Sequence, residues 1–91
     1  MNIDALKIVV TMVSIAAAGL TTALGAIGAA YGESRIAAAA MDAVARQPDE
    51  TSSITRNLFV SLAMVESTAI FCLVISLILL FANPFVSGIG R

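Results

Sequence analysis

Two uncharged runs dominate the chain: Ile8 to Gly32, and Leu58 to Phe81 with one carboxylate, Glu66, inside it. Each exceeds the about 20 apolar residues that a helix needs to cross a bilayer. Between them lies the only polar stretch of any length, Arg46-Gln47-Pro48-Asp49-Glu50-Thr51-Ser52-Ser53. Pro48 cannot continue a helix and turns Gln47 away from helical angles. Ser52 or Ser53 can cap the helix that follows. Ile36 to Ala40, Ala43 and Val44 are mostly good helix formers, so the first helix carries on past its apolar run. Asn83-Pro84 stops the second. The pattern predicts an all-α membrane protein, a hairpin of two antiparallel transmembrane helices. Helix 1 is expected over about 5–44, a loop over about 45–52, helix 2 over about 53–83 and a tail over 84–91.

The end of the first run has its own texture. Ala26, Gly28, Ala30, Gly32 and Ser34 are small at every second position. In a helix this keeps most of the circumference thin, and Gly28 and Gly32 form a small-xxx-small pair that lets helices approach closely in a membrane. The expectation is tight packing on more than one side, as in a closed homo-oligomeric ring.

Composition sharpens the picture. The chain has 91 residues, 59% hydrophobic and 12% charged, against about 25% charged in soluble domains. So short and apolar a chain cannot cover its own core with polar surface, and lipid becomes its solvent. The net charge of −1 and the lack of a basic patch exclude a nucleic-acid role. There is no His and one Cys, which excludes an internal disulfide and a His/Cys metal cluster. Cys72 reads as a small buried hydrophobe. No nucleotide loop, activated nucleophile or redox motif is present, so the chain is not an enzyme in its own right and calls for no cofactor. Asp4 beside Lys7, and the length of the first run, argue against a cleaved signal peptide. Arg35, Arg46 and Arg56 stand toward the loop, against Lys7 and Arg91 at the termini, which favours a cytoplasmic loop and external termini. Arg35 reads as an interfacial side chain snorkelling toward headgroups.

The candidate chemistry centres on Glu66. A charged side chain at mid-bilayer costs about 3 kcal/mol on insertion scales, and chains that keep one use it. Ser67 and Thr68 follow, adding hydroxyls that can donate to a carboxylate or coordinate a cation. The midpoint of positions 33 and 66 falls between Asp49 and Glu50, inside the loop. In an antiparallel hairpin Glu33 and Glu66 therefore stand at the same height, about 25 Å from the turn. Two carboxyls facing each other in a dry site cannot both be ionised cheaply, so a proton is held between them. Their titration belongs to the pair. Glu66 supplies the exchangeable charge, and Glu33 a donor or a carbonyl-type oxygen. Ser67 Oγ and a backbone carbonyl near Met64 complete an oxygen shell. Such a shell suits a proton or a small hard cation. The polar loop, from composition alone, reads as a solvated turn.

These residues resemble the c subunit of the rotary F-type ATP synthase, the hairpin proteolipid whose copies form the membrane rotor ring. The resemblance covers almost the whole chain. It rests on the small residues from Ala26 to Ser34, the loop Ala45-Arg46-Gln47-Pro48-Asp49, the segment around Glu66, and the end Leu79-Leu80-Phe81-Ala82-Asn83-Pro84-Phe85. It implies that Glu66 is the ion-carrying carboxylate. It further implies that an arginine of the a subunit displaces the ion as each copy passes, with two offset half-channels giving direction. Arg46, Gln47 and Pro48 would then contact the gamma and epsilon subunits of the central stalk, and the location would be a bacterial inner membrane, with the loop cytoplasmic and both termini periplasmic. Sodium-binding members resemble Glu66-Ser67-Thr68 with Gln or Glu at the Glu33 position, but carry a Tyr where this chain has Phe71. Loss of that hydroxyl favours a proton, with Na⁺ as the alternative ion. The paired carboxylates also resemble the N-type subclass. Ala30 and Ser34 stand where members often have Gly, which implies a wider ring. A small hairpin channel or transporter with an intramembrane carboxylate is the rival reading; helix 2 lacks the polar face of a pore, and a small exporter usually has four spans and aromatic residues near its Glu, whereas this chain has two spans and no Trp.

Overall fold

The computed structural model describes residues Asn2–Gly90. Two long helices, α1 (Ile3–Arg46) and α2 (Thr51–Phe81), run antiparallel on either side of a single 3₁₀ turn, Pro48–Glu50, and a one-turn helix, α3 (Pro84–Ser87), follows. The hairpin measures 68 × 17 × 11 Å. Both limbs are long and apolar enough to cross a membrane.

Local chemistry sets the boundaries. Asn2 Oδ1 accepts from Ala5 N at 2.7 Å and caps the start of α1, so the helix begins before the expected residue 5. Pro48 forces Gln47 to φ −133°, ψ 72°, outside the helical region, as its ring demands of the preceding residue. α1 therefore runs to Arg46, and Arg46 is helical rather than part of the loop. Its guanidinium reaches back to Asp42 at 2.9 Å across one turn, an exposed pair of the kind worth about 0.3–0.5 kcal/mol. The connection is shorter than the expected 45–52. Neither Ser52 nor Ser53 caps α2: the helix starts at Thr51, with Glu50 in the cap position and no side-chain cap bond. Thr51 Oγ1 instead donates to Pro48 O at 2.6 Å, tying the 3₁₀ turn directly into α2. Beyond Phe81 the tail is not structureless. Asn83 Oδ1 accepts from Phe85 N and Val86 N at 3.0 and 3.4 Å, with Pro84 preset for the first helical position.

Among the described residues only Ser14, Ala18, Ala29 and Ser76 are buried. Large side chains such as Leu24, Met64, Phe71 and Phe81 are at least two-thirds exposed. So little internal burial cannot hold a 91-residue chain together in water. The exposed apolar surface is what a helix pair presents when lipid and neighbouring helices surround it.

The seam is a stripe of small residues. Ala18, Gly25, Ala29 and Gly32 share one side of α1, where Ala18 meets Ser76, Gly25 meets Cys72 and Gly32 meets Val65 of α2. A Cβ on Gly25 would sit 2.7 Å from Cys72 Sγ and 2.8 Å from Cys72 Cβ, while one on Gly32 would meet Val65 Cγ1 at an ordinary 3.6 Å. Of the alternating small residues singled out in the sequence, Gly32 faces this seam; Ala26, Gly28, Ala30 and Ser34 point away from it and are exposed. The missing Cβ of Gly28 faces open space.

Candidate functional site

The antiparallel register is what assembles the site. Glu33 with Glu66, Gly32 with Val65, Gly25 with Cys72 and Thr22 with Ser76 are all centred on the Gln47–Glu50 turn. Equal distances from the turn mean equal heights, because both limbs rise at about 1.5 Å per residue. The carboxyls of Glu33 and Glu66 are thereby brought close enough to interact. Glu33 is half-buried at the edge of the seam, while Glu66 is exposed on α2. A proton shared there gives each carboxyl a partner that water would otherwise supply.

The remaining candidates lie on α2 around Glu66. Ser67 Oγ donates to Ala63 O at 2.9 Å. Its proton is therefore engaged within the helix, and its lone pairs face outward. It can offer an oxygen to a cation in this conformation but does not donate to Glu66. Met64 and Phe71 are 69% and 70% exposed, and Thr68 is exposed as well. Phe71 is not buried within the hairpin. Glu66 stands at the edge of the seam, and Ser67, Thr68, Met64 and Phe71 are likewise open to be covered from outside the hairpin.

Below the pair, toward the termini, lies a polar clamp that the sequence pattern did not announce. Thr22 Oγ1 donates to Ser76 Oγ at 2.6 Å. Ser76 Oγ in turn donates to Ala18 O across the seam at 2.8 Å, with Cys72 O of its own helix 3.0 Å away. Ser76 is 3% exposed. A hydroxyl in so dry a seam must find such partners, and here they lock α1 against α2 at one register. A signal did exist: Ser76 stands opposite Thr22 by the same turn-centred count that pairs the two glutamates. Ser76→Ala is expected to remove the clamp and lower hairpin stability by about 1–2 kcal/mol, since each interhelical hydrogen bond in a membrane averages about 0.6 kcal/mol and Thr22 also loses its acceptor. Unfolding in mixed detergent micelles would measure it. An unchanged midpoint would mean that the clamp contributes nothing.

Cys72, expected as a buried hydrophobe, is half-buried against Gly25. Arg35, expected to reach for headgroups, donates from Nη1 to the Tyr31 hydroxyl at 3.0 Å.

Comparison with known proteins decides the lineage. The family model for the ATP synthase C subunit matches residues 16–79. The chain belongs to the ATP synthase C-subunit family. It is 54% identical over 76 residues to the ATP synthase c subunit 2 of Cereibacter sphaeroides, covering 84% of this chain and 92% of the relative. It is 49% identical over 72 residues to the ATP synthase c subunit of a Synechococcus strain, covering 79% and 89%. The chloroplastic ATP synthase c subunit of Guillardia theta is 46% identical over 79 residues, 87% of this chain and 96% of the relative. The two-helix hairpin is the architecture of this ring-forming family, and the chain is an integral-membrane, non-catalytic subunit of that kind.

Proposed function

We propose that this chain is a proton-carrying rotor subunit, in which Glu66 binds and releases the ion as the ring turns. The observation that carries the proposal is the meeting of the Glu33 and Glu66 carboxyls at one height. Glu33 holds or donates the shared proton. Ser67 Oγ and the Met64 carbonyl are assigned to the site as further oxygens, and the Thr68 hydroxyl is a third. Phe71 supplies no hydroxyl to orient a carboxylate around a metal, so the set favours H⁺ over Na⁺.

Rotation needs partners. Glu66 is neutralised while it faces lipid and gives up its ion to the a subunit, where an arginine displaces it. The exposed small residues Ala26, Gly28, Ala30 and Ser34, with Gly32 behind them, pack copy against copy into the ring. The surface formed by Arg46, Gln47 and Pro48 docks the gamma and epsilon subunits of the central stalk. The turn end carries Arg35, Arg46 and Arg56, which supports a cytoplasmic loop with both termini in the periplasm, in a bacterial inner membrane.

Carbodiimide labelling of the purified oligomer, followed across pH with and without Na⁺, tests the proposal, because the reagent attacks a protonated carboxyl in an apolar setting. Selective labelling of Glu66 that varies with pH and ignores Na⁺ is the expected result. Protection by Na⁺ would change the ion to sodium, and an unreactive Glu66 would remove the ion-carrier role.

A further inference from the structure

At one height the hairpin carries charge of both signs that it does not balance. Glu33 and Glu66 with a single shared proton remain anionic. Arg35, whose guanidinium is always charged, stands two residues from Glu33, about 3 Å nearer the turn. It donates from Nη1 to the neutral Tyr31 hydroxyl at 3.0 Å, and its Cζ lies 5.7 Å from the Tyr31 ring centre. Tyr31 thus steadies the guanidinium and leaves its other donors unused. Among the described residues the ion pair is Arg46 with Asp42. The next charged residues toward the turn are Asp42 on α1 and Arg56 on α2, nine and ten positions from Glu33 and Glu66, or about 14 Å. Toward the termini the next is Lys7. Uncompensated charge between helices this apolar is expensive, for anion and cation alike.

Within one copy the two charges cannot meet. Residues two apart on an α-helix lie about 160° apart around its axis. Glu33 is half-buried at one edge of the seam, and Arg35 is exposed on the other side of α1. Each side has an exposed small residue two turns below: Ala26 below Glu33, and Gly28 below Arg35, where a Cβ would enter open space. Both sides of α1 therefore admit another helix closely. α2 contains no glycine and exposes Phe59, Met64 and Phe71, so α1 is the limb thin enough for the crowded inner side of a ring. Copies in a cyclic ring are parallel and level, and each contact joins one edge of a copy to the opposite edge of the next. The Arg35 edge of one copy then faces the Glu33 edge of its neighbour at the same height. Packed helices stand about 8–10 Å apart, a gap that an arginine side chain spans.

We propose that Arg35 of each copy enters the ion site of the next copy and pairs with its Glu33 carboxylate, so that the site is neutral when it holds a single proton. This role rests on Glu66 being the ion carrier. A guanidinium fork matches a carboxylate in charge and geometry. One cation, two carboxylates and one proton sum to zero, so a loaded site faces lipid without a second proton. Release of that proton leaves Glu66 as the one uncompensated charge. The costs of a buried anion and a buried cation cancel, and they cancel only between copies.

The test uses the intact oligomer. Arg35→Lys keeps the charge and introduces an amine that attacks a carbodiimide-activated carboxyl, forming an amide as the urea leaves. The expected product joins position 35 of one copy to the Glu33–Glu66 pair of another, chiefly at Glu33. It appears as dimers and higher multiples on a denaturing gel. Peptide mass spectrometry on rings mixed from isotope-labelled and unlabelled chains shows that the amide bridges two copies. No such bridge, or an amide at Asp42 alone, overturns the pair. In Arg35→Gln the lost cation makes the carboxyls hold protons more tightly. The midpoint of Glu66 labelling by a hydrophobic carbodiimide then rises by about one pH unit, a tenfold change in proton affinity, and Arg35→Lys restores the parental midpoint. An unchanged midpoint in Arg35→Gln overturns the neutralising role. Should Arg35→Gln not assemble, the bridge in Arg35→Lys decides. Failure of the carrier reading looks different: Glu66 of the parent would resist carbodiimide at every pH, whereas the bridge to Glu33 needs only the two charges in contact.

Discussion

Glu66→Gln is expected to abolish ion transport while leaving the ring assembled. The amide keeps the size and much of the hydrogen-bonding shape of the carboxyl, so it still meets Glu33 across the edge of the seam. It has no exchangeable acidic proton and no charge to gain or lose, so it cannot perform the proposed ion exchange. Assembly does not depend on the charge, because an ionised group at this depth opposes insertion by about 3 kcal/mol. The effect is therefore all on coupling: ATP-driven acidification by vesicles containing the whole synthase should fall to the level of vesicles lacking it. Carbodiimide should no longer block hydrolysis through this residue. An assembled Glu66→Gln complex that still pumps would move the ion site elsewhere, and Glu33 would be the first residue to examine.

The second large effect is expected at Gly25. In a helix interior, Gly→Ala ordinarily stabilises by about 0.5–1 kcal/mol, because alanine has less backbone freedom to lose. Gly25 should behave in the opposite way. A Cβ there would stand 2.7 Å from Cys72 Sγ and 2.8 Å from Cys72 Cβ. The helices must separate or twist to admit it, and overpacking of this kind costs about 1–3 kcal/mol. The clash lies about 12 Å below the glutamate pair along the same seam, so a separation that carries along the two stiff helices also loosens the contact between Glu33 and Glu66. Gly25→Ala is expected to lower hairpin stability in detergent and to disturb the pH profile of Glu66 labelling together. Cys72→Ala cannot fully rescue it, because the Cβ of residue 72 remains in the way; Cys72→Gly removes both contacts. Gly28→Ala provides the contrast. Its Cβ would enter open space in the hairpin, so it should leave hairpin stability unharmed and act on the oligomer. A Gly25→Ala hairpin more stable than the parent would mean that the two helices do not approach as closely as Cys72 and Gly25 indicate.

The one-dimensional pattern carried a great deal of this molecule. Two uncharged runs around a Pro-containing turn are enough to define an apolar helical hairpin, since lipid leaves the backbone few other ways to satisfy its polar groups. The turn-centred count that set Glu33 level with Glu66 needed only the regular rise of two helices, which does not depend on side-chain packing. Helix ends were less legible. Whether Ser52 or Ser53 caps α2 depended on the 3₁₀ turn after Gln47, and that turn brought Thr51 to Pro48 first.

Rotation about each helix axis was decided by three-dimensional packing. Small residues occur all around α1, so the alternating row from Ala26 to Ser34 could not disclose which of them face α2. Close contact at Gly25 and Cys72, and the Ser76 bonds to Thr22 and Ala18, turn one stripe inward and leave Ala26, Gly28, Ala30 and Ser34 outside. That same rotation leaves Arg35 and Tyr31 exposed and bonded to each other. Spacing along a chain records height in a helical hairpin; which way each side chain points depends on how closely the two backbones can approach.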